Sequence, residues 1–295
     1  MIGQLYKKYI PVTTRQKIYN LFLGDLLSFK RDLPVHCKSK FTSIFHSFLP
    51  ENERNNIYAF IGKHGITPYP YPFSLEYKKT EAECFYDADF DLRFVIHNGK
   101  KLYFPRSYDE KRIRKLYRSL IIEQDPRCAH RYVERYDELT GFTLLDVGAA
   151  EGIFTLDVIE YIHGAYLFEC EDKWYEALMA TFDPWKEKVH IIKKYISNVT
   201  GTDTITLDDF LSEKKIDKLF LKMDIEGEEQ KALQGACRVI SDTENFRCSV
   251  CTYHTENDQQ NIESFLKVHG ISTYFTDGYL FYDRAIRKAI IRGEK

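Results

Sequence analysis

Four carboxylates stand where short apolar runs stop. Asp146 and Glu151 lie in Leu144-Leu145-Asp146-Val147-Gly148-Ala149-Ala150-Glu151-Gly152, and Asp224 and Glu226 in Leu219-Phe220-Leu221-Lys222-Met223-Asp224-Ile225-Glu226-Gly227. In an open α/β sheet ligands sit outside the carboxyl ends of the strands, so acids at these ends face one crevice. Gly148, Ala149, Ala150 and Gly152 let the loop backbone approach a ligand closely. The helix that resumes with Phe154, Val158, Tyr161 and Ile162 offers it unpaired N–H groups.

The loop chemistry narrows the ligand. A dinucleotide loop carries three glycines and welcomes a pyrophosphate. Here two glycines stand four apart beside Asp146 and Glu151, whose charges repel phosphate. They suit a ligand with positive charge and no phosphate, and S-adenosylmethionine, with its sulfonium and ammonium, meets that description. Taken alone, the same loop also reads as a glycine-punctuated β-α turn of any parallel sheet.

Further residues belong to the same crevice. Glu169, 23 positions after Asp146, ends the run Ala165-Tyr166-Leu167-Phe168 and can accept hydrogen bonds from ribose hydroxyls. Ser197, within Ile196-Ser197-Asn198, would border an adenine. Gln124, His130 and Arg131 form a polar cluster that could reach the ligand's carboxylate, a solvated helix end being the equal alternative. His254 closes the run Arg247 to Tyr253, a position that suits a catalytic base as well as a structural histidine. Glu228 and Glu229 read as favourable charges in the first turn of a helix.

The elements that position these residues follow from periodicity. Residues 1–75 read as a helical extension, with Thr13 or Thr14 capping a helix that carries Ile18, Leu21, Phe22, Leu26 and Phe29 and ends near Lys30-Arg31. Pro68-Tyr69-Pro70-Tyr71-Pro72 marks a linker. Residues 76–139 read as a hairpin turning at Asn98-Gly99, then a helix with Ile113, Leu116, Tyr117, Leu120 and Ile121 on one face. From 140 to 295 strand and helix alternate, which predicts an α/β fold with a parallel sheet and helices on both faces. Thr206-Leu207-Asp208-Asp209 opens a short helix, and Ile271–Tyr274 with Tyr279–Tyr282 predicts a terminal hairpin around Asp277-Gly278.

Composition bounds the rest. The chain has 295 residues with 44% hydrophobic content and a formal net charge of -2, which gives no global support for nucleic-acid binding. Residues 1–40 carry eight Lys/Arg against Asp25 and Asp32, a local +6. That region therefore suits the surface of the main domain, a second copy in a homo-oligomer, or peripheral contact with an anionic membrane. Seven cysteines, an odd number without a signal-peptide core ahead of them, predict a reducing, cytoplasmic setting. Cys248-x-x-Cys251 falls on a strand and reads as buried small residues rather than half of a zinc site.

At these residues the chain resembles the FkbM-type family of S-adenosylmethionine-dependent methyltransferases. The resemblance rests on Leu145 to Gly152, Phe168-Glu169, Thr206 to Asp209, Lys222-Met223-Asp224-Ile225-Glu226-Gly227-Glu228-Glu229 with Leu233 to Ala236, and Asp277-Gly278-Tyr279. It implies a Rossmann-like class I methyltransferase with a mostly parallel seven-stranded sheet. It also implies O-methylation of a hydroxyl on a small-molecule acceptor, a sugar, glycan or natural product. Family members carry proline after the ribose acid, where this chain has Cys170. A hydroxyl needs a base or a metal: His254, oriented or supplemented by Asp224, could be the base, or Asp224 and Glu226 could hold Mg²⁺. The rival reading is a catalytically silent nucleoside-binding scaffold of the same fold.

Overall fold

The computed structural model describes residues 25–295. The capped helix expected at Thr13 or Thr14 lies largely outside them. None of the described helices is long and apolar enough to cross a membrane. The chain divides into two compact units, one reaching Tyr71 and including Asp283–Ala285, the other comprising Pro72–Tyr282 and Ile286–Lys295.

The first unit contains helices α1 (Asp25–Phe45) and α2 (Glu53–His64). Lys30 and Arg31, expected near a helix end, lie inside α1, which continues through Pro34. Packing explains the continuation: α1 buries Val35, Ser39 and Thr42, and α2 buries Ile57, Ile61 and Gly62. The helices approach so closely that a Cβ on Gly62 would stand 2.1 Å from the Ser39 carbonyl oxygen. Asn52 caps α2 by accepting the Asn55 N–H at 2.9 Å.

The second unit begins with a three-stranded antiparallel sheet of β1 (Cys84–Asp87), β2 (Leu92–His97) and β3 (Lys100–Phe104), followed by α3 (Glu110–Glu123). The β2–β3 turn is the expected one, with Asn98 and Gly99 both at positive φ. Then come β4 (Thr143–Val147), α4 (Ile153–Val158), β5 (Gly164–Phe168), α5 (Asp172–Phe182) and β6 (Val189–Ile192). A small parallel pair, β7 (Tyr195–Ile196) and β8 (Thr204–Ile205), precedes α6 (Leu207–Phe210). Thr206 caps α6 by accepting the Asp209 N–H at 3.0 Å. The chain continues through β9 (Lys218–Met223), α7 (Glu229–Gln234), α8 (Cys237–Asp242), β10 (Asn245–Cys251) and α9 (Asp258–Val268). It closes with β11 (Ser272–Phe275), β12 (Leu280–Tyr282), β13 (Ala285–Arg287) and β14 (Ile290–Glu294).

The main sheet has seven strands in the order β11-β14-β10-β9-β4-β5-β6. Pairs among β10, β9, β4, β5 and β6 are parallel, while β14 runs antiparallel to both β10 and β11. This is the Rossmann-like α/β architecture, with an antiparallel C-terminal pair. That pair is β11 with β14 rather than two strands closed around Asp277-Gly278; β12 instead pairs with β13. The reason is burial: Ile290 and Ile291 are fully buried, and β14 completes the sheet edge beside β10. The chain leaves β4 toward β5 and β6, then returns to place β9 on the other side of β4. The carboxyl ends of β4 and β9 therefore flank the crevice that such a reversal opens.

Candidate active site

The loop after β4 meets the chain after β9 at backbone contact distance. Asp224 N donates to Val147 O at 3.0 Å. A Cβ on Gly148, whose φ is +80°, would lie 1.9 Å from the Asp224 carbonyl oxygen, so this crossing demands glycine. Beside it opens a cavity of about 610 Å³, whose wall includes Gly148, Ala150, Glu169, Ser197, Asp224 and Glu226. Glu169 accepts the Ala150 N–H at 2.9 Å and the Glu171 N–H at 2.7 Å, tying the glycine loop to the end of β5.

Asp146 is not on that wall. It is 1% exposed, accepts the Thr155 hydroxyl at 2.7 Å, and pairs with Lys222 Nζ at 2.9 Å. Lys222 also donates to Gly148 O at 2.6 Å. The β4–β9 register sets Asp146 opposite Lys222, so both side chains rise from the same face. Burial alone would lower the Lys222 pKa, but Asp146 and Asp224 hold it above the ordinary lysine value. This pair shapes the loop from behind. Ala149 and Glu151 are likewise buried, and Gly152 opens α4 in the left-handed region. Burial, followed by the charge of Glu123, pushes Glu151 up to about 8.

Asp224 is the centre of a second cluster. Its carboxylate accepts the Tyr132 hydroxyl at 2.8 Å and the Tyr253 hydroxyl at 3.5 Å, and faces His130 Nε2 at 3.7 Å and His254 Nε2 at 3.4 Å. Burial would raise its pKa, but His130, Lys222 and His254 hold it below the ordinary carboxylate value. His254 is fixed from the other side, where its Nδ1 meets Glu229 Oε1 at 2.8 Å. The same oxygen accepts the Ile225 N–H at 2.9 Å. Burial would lower the His254 pKa, but Glu229, then Asp224 and Glu226, hold it above the usual histidine value.

Several expectations change here. Glu229 lies in the first turn of α7, as read, but it is also fully buried and bonded to His254. Arg131 spends its guanidinium on the carbonyls of Val133 and Gln124, which bend the chain back on itself, and so does not reach toward a ligand. His130 is brought to Asp224, whereas Gln124 is buried with its Oε1 unpartnered. Asp224 and Glu226 are not drawn together as a ligand pair for Mg²⁺: Asp224 accepts from hydroxyls and faces His130 and His254, while the Glu226 side chain is 84% exposed. Among the described residues, Asp224 clusters instead with His130 and Cys251 or with Glu229 and His254. Cys248 and Cys251 are buried free thiols. Lys222, Tyr132 and Tyr253 carry no sequence-based expectation; the available signal is Lys222 as a charge inside the apolar run Leu219–Met223.

The methyltransferase FkbM domain profile matches residues 103–272. The chain belongs to the FkbM methyltransferase family. Among solved structures, this FkbM domain is similar to methyltransferase FkbM from Methylobacillus flagellatus KT, at 18% identity and a TM-score of 0.43, over 63% of this chain and 55% of that one. The chain thus spans little more than half the length of that protein. It is also similar to magnesium protoporphyrin IX methyltransferase from Synechocystis PCC 6803 with bound SAM, at 13% identity and a TM-score of 0.37, covering 53% and 71% of the two chains. A further similar structure is a SAM-dependent O-methyltransferase from Thermotoga maritima, at 17% identity and a TM-score of 0.36, covering 54% and 61%. No curated protein matches the chain.

Proposed function

We propose that the chain is an S-adenosylmethionine-dependent methyltransferase acting on a hydroxyl of a small-molecule acceptor, a sugar or glycan being the favoured class, with His254 as general base. The observation that carries this reading is the Glu229–His254–Asp224 arrangement beside the cavity. Glu229 accepts the Nδ1 proton and leaves Nε2 to take one from an acceptor.

The residues on the cavity wall suit the cofactor. Glu169 would accept from ribose hydroxyls, the Gly148–Ala150 backbone would border the amino-acid end, and Ile196 and Ser197 would flank the base. When bound, the cofactor supplies an electrophilic methyl group. His254 Nε2 would take the proton of the acceptor hydroxyl, and ionised Asp224 would stabilise the resulting imidazolium. Tyr132 and Tyr253 hold Asp224 in place through their hydroxyls.

Calorimetric titration with S-adenosylmethionine, S-adenosylhomocysteine and NADH tests the cofactor class. Binding of the two sulfur nucleosides but not NADH is expected. Absence of sulfur-nucleoside binding would favour a catalytically silent scaffold. An acceptor screen with methyl-labelled cofactor then tests the hydroxyl assignment, and product methylated on nitrogen or carbon would overturn it.

A further inference from the structure

Beyond the catalytic reading, helix α1 carries a face that its own unit leaves bare. At 3.6 residues per turn, Leu33, Cys37, Phe41, Ile44 and Phe45 fall within an arc of about 120°. Leu33 is 43% exposed, Phe41 57%, Ile44 70% and Phe45 42%, and Cys37 is exposed as well. The side buried within the unit, Val35, Ser39 and Thr42, lies roughly opposite. Phe41 and Phe45 lie against each other with centroids 4.7 Å apart and rings tilted by 39°, forming one apolar surface rather than scattered contacts.

Charge selects the occupant. Lys40 and Lys38 border the two edges of the apolar arc, both exposed, with the Lys38 ammonium 3.9 Å from the Tyr58 ring centroid. The sequence through residue 40 carries a net +6, while the protein as a whole is at -2. An apolar stripe edged by lysines is the arrangement of a helix lying in a membrane interface: rings enter the acyl boundary and ammonium groups stay at headgroup level. A self-associating face would gain nothing from concentrating like charge along its edges.

We propose that this face of α1 docks on an anionic lipid surface, holding the enzyme peripherally at a membrane. The test is flotation of the full chain with vesicles of phosphatidylcholine alone and of phosphatidylcholine mixed with phosphatidylserine, alongside size-exclusion light scattering. The wild-type chain is expected to float with the phosphatidylserine vesicles and to be released by salt. Phe41→Asp with Ile44→Asp should reduce bound protein by at least ~tenfold, since burial of two large apolar side chains is lost. Lys40→Glu should reduce it by roughly fivefold or more, given about 1 kcal/mol for each basic residue near such a surface. Val268→Asp, at an 83% exposed position of the second unit, should change nothing. Because these side chains are exposed, unchanged circular dichroism should accompany each variant. Failure of the wild-type chain to float, or undiminished flotation of the double variant, would overturn the proposal. So would a wild-type dimer that the double variant converts to monomer without any vesicle binding, which would assign the face to a second copy.

Discussion

Asp146 and Asp224 stand at the carboxyl ends of neighbouring parallel strands, yet they occupy opposite electrostatic situations. Asp146 is 1% exposed and spent on Thr155 and Lys222, whereas Asp224 reaches the cavity wall while contacting His130, His254, Tyr132 and Tyr253 from behind it. Asp146 ends one residue inside β4, and register sets it against a lysine; Asp224 begins the loop just past β9. Two positions of strand register thus separate a carboxylate that shapes the loop from one that reaches the cavity wall. An acid near a strand end is therefore a weak indicator of chemistry until its register partner is known.

Replacing Lys222 by Met should strain this contrast most. Removing one partner of a buried pair leaves an uncompensated charge and is expected to cost ~3–5 kcal/mol, read from urea unfolding. The double variant Asp146→Leu with Lys222→Met should recover much of that loss. Wild-type stability in Lys222→Met would remove the loop-shaping role.

On the other acid's side, His254→Ala is expected to slow turnover about 10²–10⁴-fold while leaving S-adenosylmethionine affinity unchanged. Unchanged turnover would take His254 out of the base role. Glu229→Gln should act more mildly. In the wild type the His254 pKa is raised above 6.5, so the pair's stabilisation is fully present below 6.5 and is lost as pH rises through the folded value. The basic form of His254 appears over that same rise, and the rate should increase with it. Glu229→Gln should move the inflection to lower pH, both in the rate profile and in an NMR titration of the His254 ring. An unmoved inflection would show that Glu229 does not orient or tune the base.

Glu151 sharpens the comparison from the loop side. Its carboxyl, raised from 4.5 to about 8, stays protonated in the fold where the unfolded chain would ionise it. Wild-type stability should therefore fall as pH rises between those values, and Glu151→Gln should flatten that slope in thermal melts. Equal slopes would contradict the burial assigned to this group. The smallest effect is expected at Glu226, whose side chain is 84% exposed: Glu226→Ala should shift stability by no more than about 0.5 kcal/mol.

Local chemistry in the sequence determined much of the architecture. Alternating strand and helix periods marked the parallel core, Asn98-Gly99 the β2–β3 turn, Thr206 the cap of α6, and Gly148 the tight crossing. The paired glycine and acid segments were sufficient to indicate the family, and Glu169, Ser197 and Asp224 all reached the cavity wall. What only the tertiary structure decided were pairings between residues far apart in the chain. Asp146 met Lys222 across 76 positions, and Glu229 met His254 across 25. β11 chose β14 over its nearer neighbour because the last strand had two isoleucines to bury. Spacing along a chain reports which face a side chain takes within its own element. Which partner stands opposite depends on register and burial, and those arise only when the sheet closes.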